Sequence, residues 1–240
     1  MISVCMATYN GETYIKEQLS SILNQLTNED EVIISDDGST DSTINIIKSF
    51  NDERVKILHN KQTKEGKSKH QIVTANFENS LKNAKGDYIF LADQDDVWRN
   101  DKVKVCLKYL INYDILLTNS EIIDYNGKSL SENLFKKNPL QSNFFSILYK
   151  MPFYGCCLCF KKSVLDLALP FPKKLLLHDN WIAFVALSRN KNKIKYIDQP
   201  LVYYRRHLQN VSGVSKNNIF FKISYRFTFL LEVIKRINKK

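Results

Sequence analysis

The first hundred residues alternate apolar runs with amphipathic segments, and this alternation leaves few folds open to the chain. Residues 2–7 are an apolar run that stops at Thr8-Tyr9-Asn10-Gly11, the form of a buried strand opening into a loop. Over residues 13–25, Ile15, Leu19, Ile22 and Leu23 recur at helical spacing. Residues 31–35 predict a second strand, halted by Asp36-Asp37-Gly38-Ser39-Thr40. Ser39 or Thr40 suits the N-cap of a helix near 43–50. Residues 55–58 predict a third strand, 72–83 a helix stopped by Gly86, and 88–92 a fourth strand. Such alternation with short connections predicts an α/β fold, a mostly parallel, Rossmann-like twisted sheet flanked by helices. Right-handed crossovers put the carboxyl ends of the strands on one edge, where open α/β sheets bind ligands.

Beyond residue 100 the pattern is less regular. A helix is predicted near 101–111, strands at 114–118 and 154–160, a helix at 179–190, and one or two strands over 195–205 broken by Pro200. No repeat or linker interrupts the chain, so residues 1–210 read as one compact unit with halves at 1–100 and 101–210. Residues 211–240 form a helical tail.

Composition narrows the class. Five cysteines, an odd number in 240 residues, make no disulfide framework and suggest a reducing cytosol. No basic start followed by an apolar core marks a signal peptide, and no run of about 18 apolar residues predicts a membrane span. The net charge is +10, but residues 211–240 hold seven Lys and Arg against Glu232 alone, which is six of that excess. A nearly balanced body argues against nucleic acid as a partner; a basic tail argues for a surface contact made by the tail.

The chemistry-bearing residues sit where the strands stop. Thr8-Tyr9-Asn10, Asp36-Asp37 and Asp93-Gln94-Asp95-Asp96 follow the first, second and fourth strands. In a parallel sheet these five carboxylates converge on one rim, where mutual repulsion favours a divalent cation such as Mg²⁺ or Mn²⁺. Mg²⁺ commonly joins one or two protein carboxylates to substrate phosphates, which implies a phosphorylated ligand. No glycine-rich phosphate loop is present, so dinucleotide oxidoreductases and P-loop NTPases are disfavoured. Taken alone, Asp36-Asp37-Gly38-Ser39 also reads as a capped turn, and the second acidic segment as an exposed one.

At these residues the chain resembles the family 2 inverting glycosyltransferases, which have the GT-A fold. The matching segments are VCMATYNGETYIKEQLSSILNQ, VIISDDGSTDST, AKGDYIFLADQDDVW, YGCCLCF, HDNW and YYRRHLQNVSG, in order from residue 4 to 213. The later segments resemble bacterial O-antigen and capsule enzymes, rhamnosyltransferases among them. The resemblance implies that residues 1–100 bind nucleotide and 101–210 bind acceptor. Thr8, Tyr9 and Asn10 would line the nucleotide base and Asp37 would contact a uracil or thymine ring. Asp93 would face the ribose, with Asp95 as metal ligand and Asp96 beside it. Gly155 would lie beneath the donor sugar. Asp179 would be the catalytic base that takes the acceptor proton, although Asp at a helix start is also a good N-cap. His207 is either a further metal contact or a surface histidine, and Arg205 or Arg206 suits a diphosphate.

Three clusters carry blander readings. Cys156, Cys157 and Cys159 lack the second pair of a zinc site and read as strand packing. Trp98 and Trp181 read as core. On a helical wheel of the tail, Ile219, Phe220, Ile223, Phe227, Leu230, Leu231, Ile234 and Ile237 share one face. Lys222, Arg226, Arg236 and Lys240 lie roughly opposite, among Phe221, Tyr225 and Phe229. The tail suits either an anionic membrane surface or docking on the sheet. The expected activity is metal-dependent transfer of a hexose or 6-deoxyhexose from a UDP- or dTDP-sugar to a lipid-linked saccharide in cell-surface polysaccharide synthesis. The expected place is the cytoplasmic face of the plasma membrane, with the protein bound peripherally. A nucleotidyltransferase or a non-catalytic nucleotide-sugar-binding scaffold remains the alternative.

Overall fold

A computed structural model describes residues 1–60, 64–139, 143–189, 193–208, 210 and 218–238. The first half runs β1 (Ile2–Thr8), α1 (Ile15–Leu23), β2 (Glu31–Asp36), α2 (Thr43–Ser49), β3 (Val55–His59), α3 (Lys69–Leu81) and β4 (Tyr88–Asp93). Strands pair in parallel in the order β3-β2-β1-β4, with Ala7 opposite both Ser35 and Asp93. Val4, Cys5, Met6, Ile34, Phe90 and Leu91 are all buried. Strands covered on both faces need this unbroken apolar character, which is why the sequence advertises them so clearly. α3 begins with a capping box: Ser68 accepts from the Gln71 backbone and the Gln71 side chain accepts from the Ser68 backbone.

The second half extends the same sheet with mixed pairing. It continues β5 (Val97–Trp98), α4 (Lys102–Leu110), β6 (Ile115–Ile123), β7 (Ser129–Asn133), α5 (Leu134–Lys137) and α6 (Phe144–Lys150). A 3-10 turn (Gly155–Cys157) then leads into β8 (Leu158–Lys161), α7 (Lys162–Ala168), α8 (His178–Arg189), β9 (Ile194–Arg205) and α9 (Ile219–Asn238). β8 lies antiparallel between β4 and β6, β6 pairs in parallel with β9, and β5 and β7 are antiparallel edges. Parallel pairing is thus confined to the first four strands and the β6–β9 pair.

Two expectations need adjustment. The strand predicted for 154–160 begins only at Leu158, because Cys157 donates back to the Tyr154 carbonyl and closes a turn. The break predicted at Pro200 is a shift in register inside one long strand, where Pro200 stands opposite Asn119. A bulge is where a residue without a backbone donor is tolerated. The tail helix is present as α9, while residues 211–217 and 239–240 of the predicted tail lie outside the described residues.

Trp98 and Trp181 are core residues. Trp181 Nε1 donates to the Ala168 carbonyl (2.9 Å), and Trp98 lies beneath the Lys102 ammonium at 4.5 Å from its ring centre. All five cysteines are reduced and buried. None of the described helices is long and apolar enough to cross a membrane.

Candidate active site

A cavity of about 770 Å³ opens at the carboxyl edge of β1, β2 and β4. Thr8, Tyr9, Asn10, Asp37, Asp93, Asp95, Gly155, Asp179 and His207 all line it. Nine of the ten residues singled out by sequence therefore share one space. The tenth, Asp96, is buried behind it. A volume of this size suits a nucleotide-sized ligand.

The loops after β1 and β2 are interlocked. Asp36 accepts from Thr8 Oγ1 (2.9 Å), Ser39 Oγ (2.6 Å), Gly38 N (3.0 Å) and Ser39 N (2.8 Å). All its lone pairs are committed to the turn, so Asp36 is structural. Gly38 takes a φ of +80°, the left-handed region that glycine enters without steric cost. Asn10 holds φ 47° and joins the same knot. Its backbone N–H donates to Ser39 Oγ (2.9 Å) and its side chain accepts from Thr40 N (2.9 Å). Asp37 is left to face the cavity. Asn60 Nδ2 donates to it (3.1 Å), and Lys64 Nζ reaches both its carboxylate (2.9 Å) and its carbonyl (2.7 Å). The same ammonium lies 4.8 Å from the centre of the Tyr9 ring.

Gln94 ties the first loop to the acidic segment. Its amide donates to the Tyr9 carbonyl (3.0 Å) and accepts from Tyr9 N (2.9 Å). A Cβ on Gly11 would stand 2.5 Å from Gln94 Oε1, so a side chain there would push the Gln94 amide off its bonds to Tyr9.

The acidic segment itself is crowded. Burial, reinforced by the charges of Asp95 and Asp179, pushes Asp93 up to about 8. Burial and the charges of Asp95 and Asp93 hold Asp96 well above the carboxylate range. Asp96 Oδ1 accepts from Arg205 N (2.9 Å), while Oδ2 is buried without a partner. Asp95 Oδ2 meets His207 Nε2 (2.7 Å) and accepts from Asn210 Nδ2 (3.1 Å). Arg205 is buried and does not line the cavity. It pairs with Glu17 (2.6 Å), donates to the Asp95 carbonyl (2.9 Å) and covers the Tyr14 ring, which holds the acidic segment from behind.

These donors fit a divalent cation. Asp93, Asp96 and Cys156 offer ligand atoms within 4.8 Å of one another, and Asp96 Oδ2 is buried without a hydrogen-bond partner. Cys156 is a poor member of the set, because its hydrogen bond with Cys157 and its burial keep the thiol protonated. Carboxylate oxygens, here those of Asp95, suit Mn²⁺ or Mg²⁺ far better than a thiol does, and the His207 imidazole stands beside them.

On the other side, Gly155 and Asp179 face each other across the 3-10 turn and the start of α8. A Cβ on Gly155 would meet His178 Nε2 at 3.3 Å and Asp179 Cβ at 3.9 Å. Asp179 stands in the first turn of α8, which begins at His178, so it is not the residue that caps the helix. Its Oδ1 accepts from Asn180 N (2.7 Å) and Asn180 Nδ2 (3.0 Å). His178 stacks on Phe77 with ring centres 4.1 Å apart, and burial keeps its imidazole below the ordinary pKa.

Sequence reading missed several of the lining residues. Lys64, Asn76 and Asn210 belong to no acidic or strand-end pattern, and their contacts cross long stretches of chain. Asn76 Nδ2, for example, donates to the Thr8 carbonyl (3.2 Å). Only a polar residue on the buried face of a predicted helix could have signalled it.

With this geometry in place, comparison with known proteins is informative. Residues 3–167 match the sequence profile of glycosyl transferase family 2. The dTDP-rhamnosyl transferase RfbG of Shigella flexneri is 34% identical over 237 residues, which span 92% of this chain and 77% of that protein. The UDP-Glc:alpha-D-GlcNAc-diphosphoundecaprenol beta-1,3-glucosyltransferase WfgD of Escherichia coli is 30% identical over 148 residues, 60% of this chain and 56% of its own length. Among solved structures, TarS of Staphylococcus aureus in complex with UDP-GlcNAc superposes with a TM-score of 0.69 at 22% identity, covering 98% of this chain and 72% of that one. Glucosyl-3-phosphoglycerate synthase of Mycobacterium tuberculosis, with Mn²⁺, UDP and phosphoglyceric acid, gives 0.63 at 16% identity over 94% and 78%. At such identities the structures speak to fold, and the fold is GT-A.

Proposed function

Because the chain belongs to glycosyl transferase family 2 and is a glycosyltransferase, we propose that it moves a hexose or 6-deoxyhexose from a UDP- or dTDP-sugar to a hydroxyl of a lipid-linked saccharide, with inversion. The setting is cell-surface polysaccharide synthesis, and the protein acts peripherally at the cytoplasmic face of the membrane. The dTDP-rhamnosyl and UDP-Glc relatives support the donor class, and the diphosphoundecaprenol in the second relative's name supports the acceptor class. Family membership leaves the nucleotidyltransferase and scaffold readings without support.

One observation carries the mechanism: Asp37, Asp95 and Asp179 line a single cavity. Tyr9 and Asp37 hold the nucleoside, with Thr8 and Asn10 fixing the loop that presents them. Asp93 takes the ribose side, and Gly155 leaves room for the sugar. Asp95 and His207 would hold the cation, with Asp96 behind them. When bound there, a divalent cation supplies positive charge to the diphosphate that leaves. Asp179 accepts the proton of the attacking hydroxyl as its oxygen bonds to the anomeric carbon and the sugar–phosphate bond breaks. The test is a panel of UDP- and dTDP-sugars with Mn²⁺, read as free nucleoside diphosphate with and without EDTA. Slow, EDTA-sensitive release from one donor is expected. No release from any donor, together with no donor-induced rise in melting temperature, contradicts the proposal.

A further inference from the structure

α9 docks on the body with its mixed face and turns its apolar face outward. Phe229 and Val233 are buried, and the Phe229 ring stands edge-on to Phe184 (5.2 Å) and Trp181 (6.1 Å). Tyr225 Oη accepts from Leu176 N (3.2 Å). The two arginines of this face spend their donors on main-chain carbonyls of the body. Arg226 Nε donates to Leu148 and Tyr149 (3.1 and 2.9 Å), and Arg236 donates to Leu167 (3.2 Å), Leu169 (2.6 Å) and Pro170. The basic face is therefore largely consumed in fixing the helix.

The outward face is apolar. At 100° per residue, Ile219, Ile223, Ile234, Phe227, Phe220 and Leu231 fall within an arc of about 120°. All six are exposed, Phe220 at 77% and Phe227 at 64%. Six large apolar side chains on one exposed arc are more than a soluble monomer leaves in water without use. Charge identifies what covers them. Lys235 borders the arc on one side and Lys222 lies beyond the other, both exposed. Glu232, the only acid of residues 211–240, lies off the arc and is paired with Lys235 (2.8 Å). A second copy of the same face would bring together two helices that each carry Lys222, Arg226, Lys235 and Arg236 against Glu232 alone, a like-charge excess that opposes dimerisation. An anionic bilayer instead meets both the apolar arc and its cationic borders.

We propose that α9 lies in the plane of an anionic membrane surface, with Ile219, Phe220, Ile223, Phe227, Leu231 and Ile234 inserted among the lipid chains and the docked face holding the catalytic body. The inference deepens the peripheral placement in the functional reading and rests on it for the acceptor. Attachment here works by insertion of an apolar face, not by adsorption of a basic one, so it keeps a salt-resistant part. The helix is about 30 Å long and rigidly joined to the cavity-bearing body through α8, which fixes the site relative to the lipid surface.

The experiment is flotation of the full chain with vesicles of phosphatidylcholine, alone or mixed with phosphatidylglycerol, at low and high salt. The wild type is expected to float with the mixed vesicles and to retain part of that binding at high salt. The triple variant F220S/F227S/L231S, altered only at exposed positions, is expected to keep the wild-type melting temperature and to bind roughly tenfold or more weakly. Phe227→Trp should shift its emission to the blue when mixed vesicles are added, against the constant background of the buried Trp98 and Trp181. Failure of the wild type to float overturns the proposal, as does undiminished flotation of the triple variant. So does a stable dimer in sedimentation that the triple variant abolishes. Donor hydrolysis measured in the same samples separates the two readings. Unchanged hydrolysis without flotation removes the membrane face alone, whereas flotation without hydrolysis from any donor removes the glycosyl-transfer proposal alone.

Discussion

On the side of the cavity formed by the β1 and β2 loops, both oxygens of Asp36 are fully engaged, Asn10 bridges the two loops, and Gln94 answers Tyr9 with both amide atoms. On the side formed by the acidic segment, the 3-10 turn and α8, Asp96 Oδ2, His178 Nε2 and Asn180 Oδ1 are buried without partners, and Asp93 is pushed up to about 8. The exception on the first side is Asn76 Oδ1, also unpartnered. A polar network closed on itself stores stability; one left open stores a capacity to bind. The side proposed to hold the nucleoside is thus preformed, and the side proposed to carry the reaction keeps polar atoms open to a ligand.

The comparison breaks most visibly if Asp179 behaves like Asp36. Asp179→Asn is expected to lower the transfer rate by about 10²–10⁴-fold while the melting temperature stays near that of the wild type, since among the described residues its hydrogen bonds come from the adjacent Asn180. Rates and melting curves on the same preparation check this, and a large drop in melting temperature would make Asp179 structural. Asp36→Ala should do the opposite. It strands four donors in the turn and is expected to cost about 2–3 kcal/mol of stability, read from urea unfolding. A cost near zero would mean that the interlocked loops do not hold the site.

These two aspartates also mark how far sequence carried. The first four strands were legible because strands buried on both faces must be continuous apolar runs, and the acidic strand ends followed directly from them. The division of labour within Asp36-Asp37 was legible only through resemblance, since both stand in the same turn and only the Thr8 and Ser39 contacts separate them. The sequence offers Arg205 and Arg206 alike as candidates for a diphosphate, and Arg205 is turned away from the cavity. Its partner Glu17 lies 188 residues away in sequence, and no local pattern signals such a contact. β7, α5, α6 and α7 are too short to build a periodicity. The wheel of α9 separated its two faces correctly, but the choice of which face docks depended on carbonyls at 148–149 and 167–170 that a helix sequence does not contain.

A smaller effect sharpens the contrast by pH. An Asp whose folded pKa lies near 8 holds a proton that the unfolded chain has released above its ordinary 3.8. The contribution of Asp93 to the stability of the metal-free protein therefore falls as pH rises from about 4 to about 8. A cation held by Asp95 and His207 would favour the ionised form of the neighbouring Asp93, so the rise in melting temperature produced by Mn²⁺ is expected to be larger at about pH 8 than at about pH 6. A shift independent of pH would place the cation away from Asp93. The smallest effect is expected at His178. Replacing a buried imidazole with an unpartnered nitrogen by Phe, against Phe77, should leave the ligand-free protein as stable as the wild type or up to about 1 kcal/mol more stable by urea unfolding. Marked destabilisation would mean that the nitrogen has a partner in solution.

The most direct test of a preformed nucleoside side joined to a ligand-completed reacting side is calorimetric titration of UDP and dTDP, with and without Mn²⁺, into the wild type, Asp95→Asn and Asp179→Asn. Asp95→Asn is expected to lose the Mn²⁺-dependent part of binding, and Asp179→Asn to bind as the wild type does while failing to transfer sugar. Equal loss of nucleotide binding in both variants, or Mn²⁺-dependent binding that survives in Asp95→Asn, would contradict it.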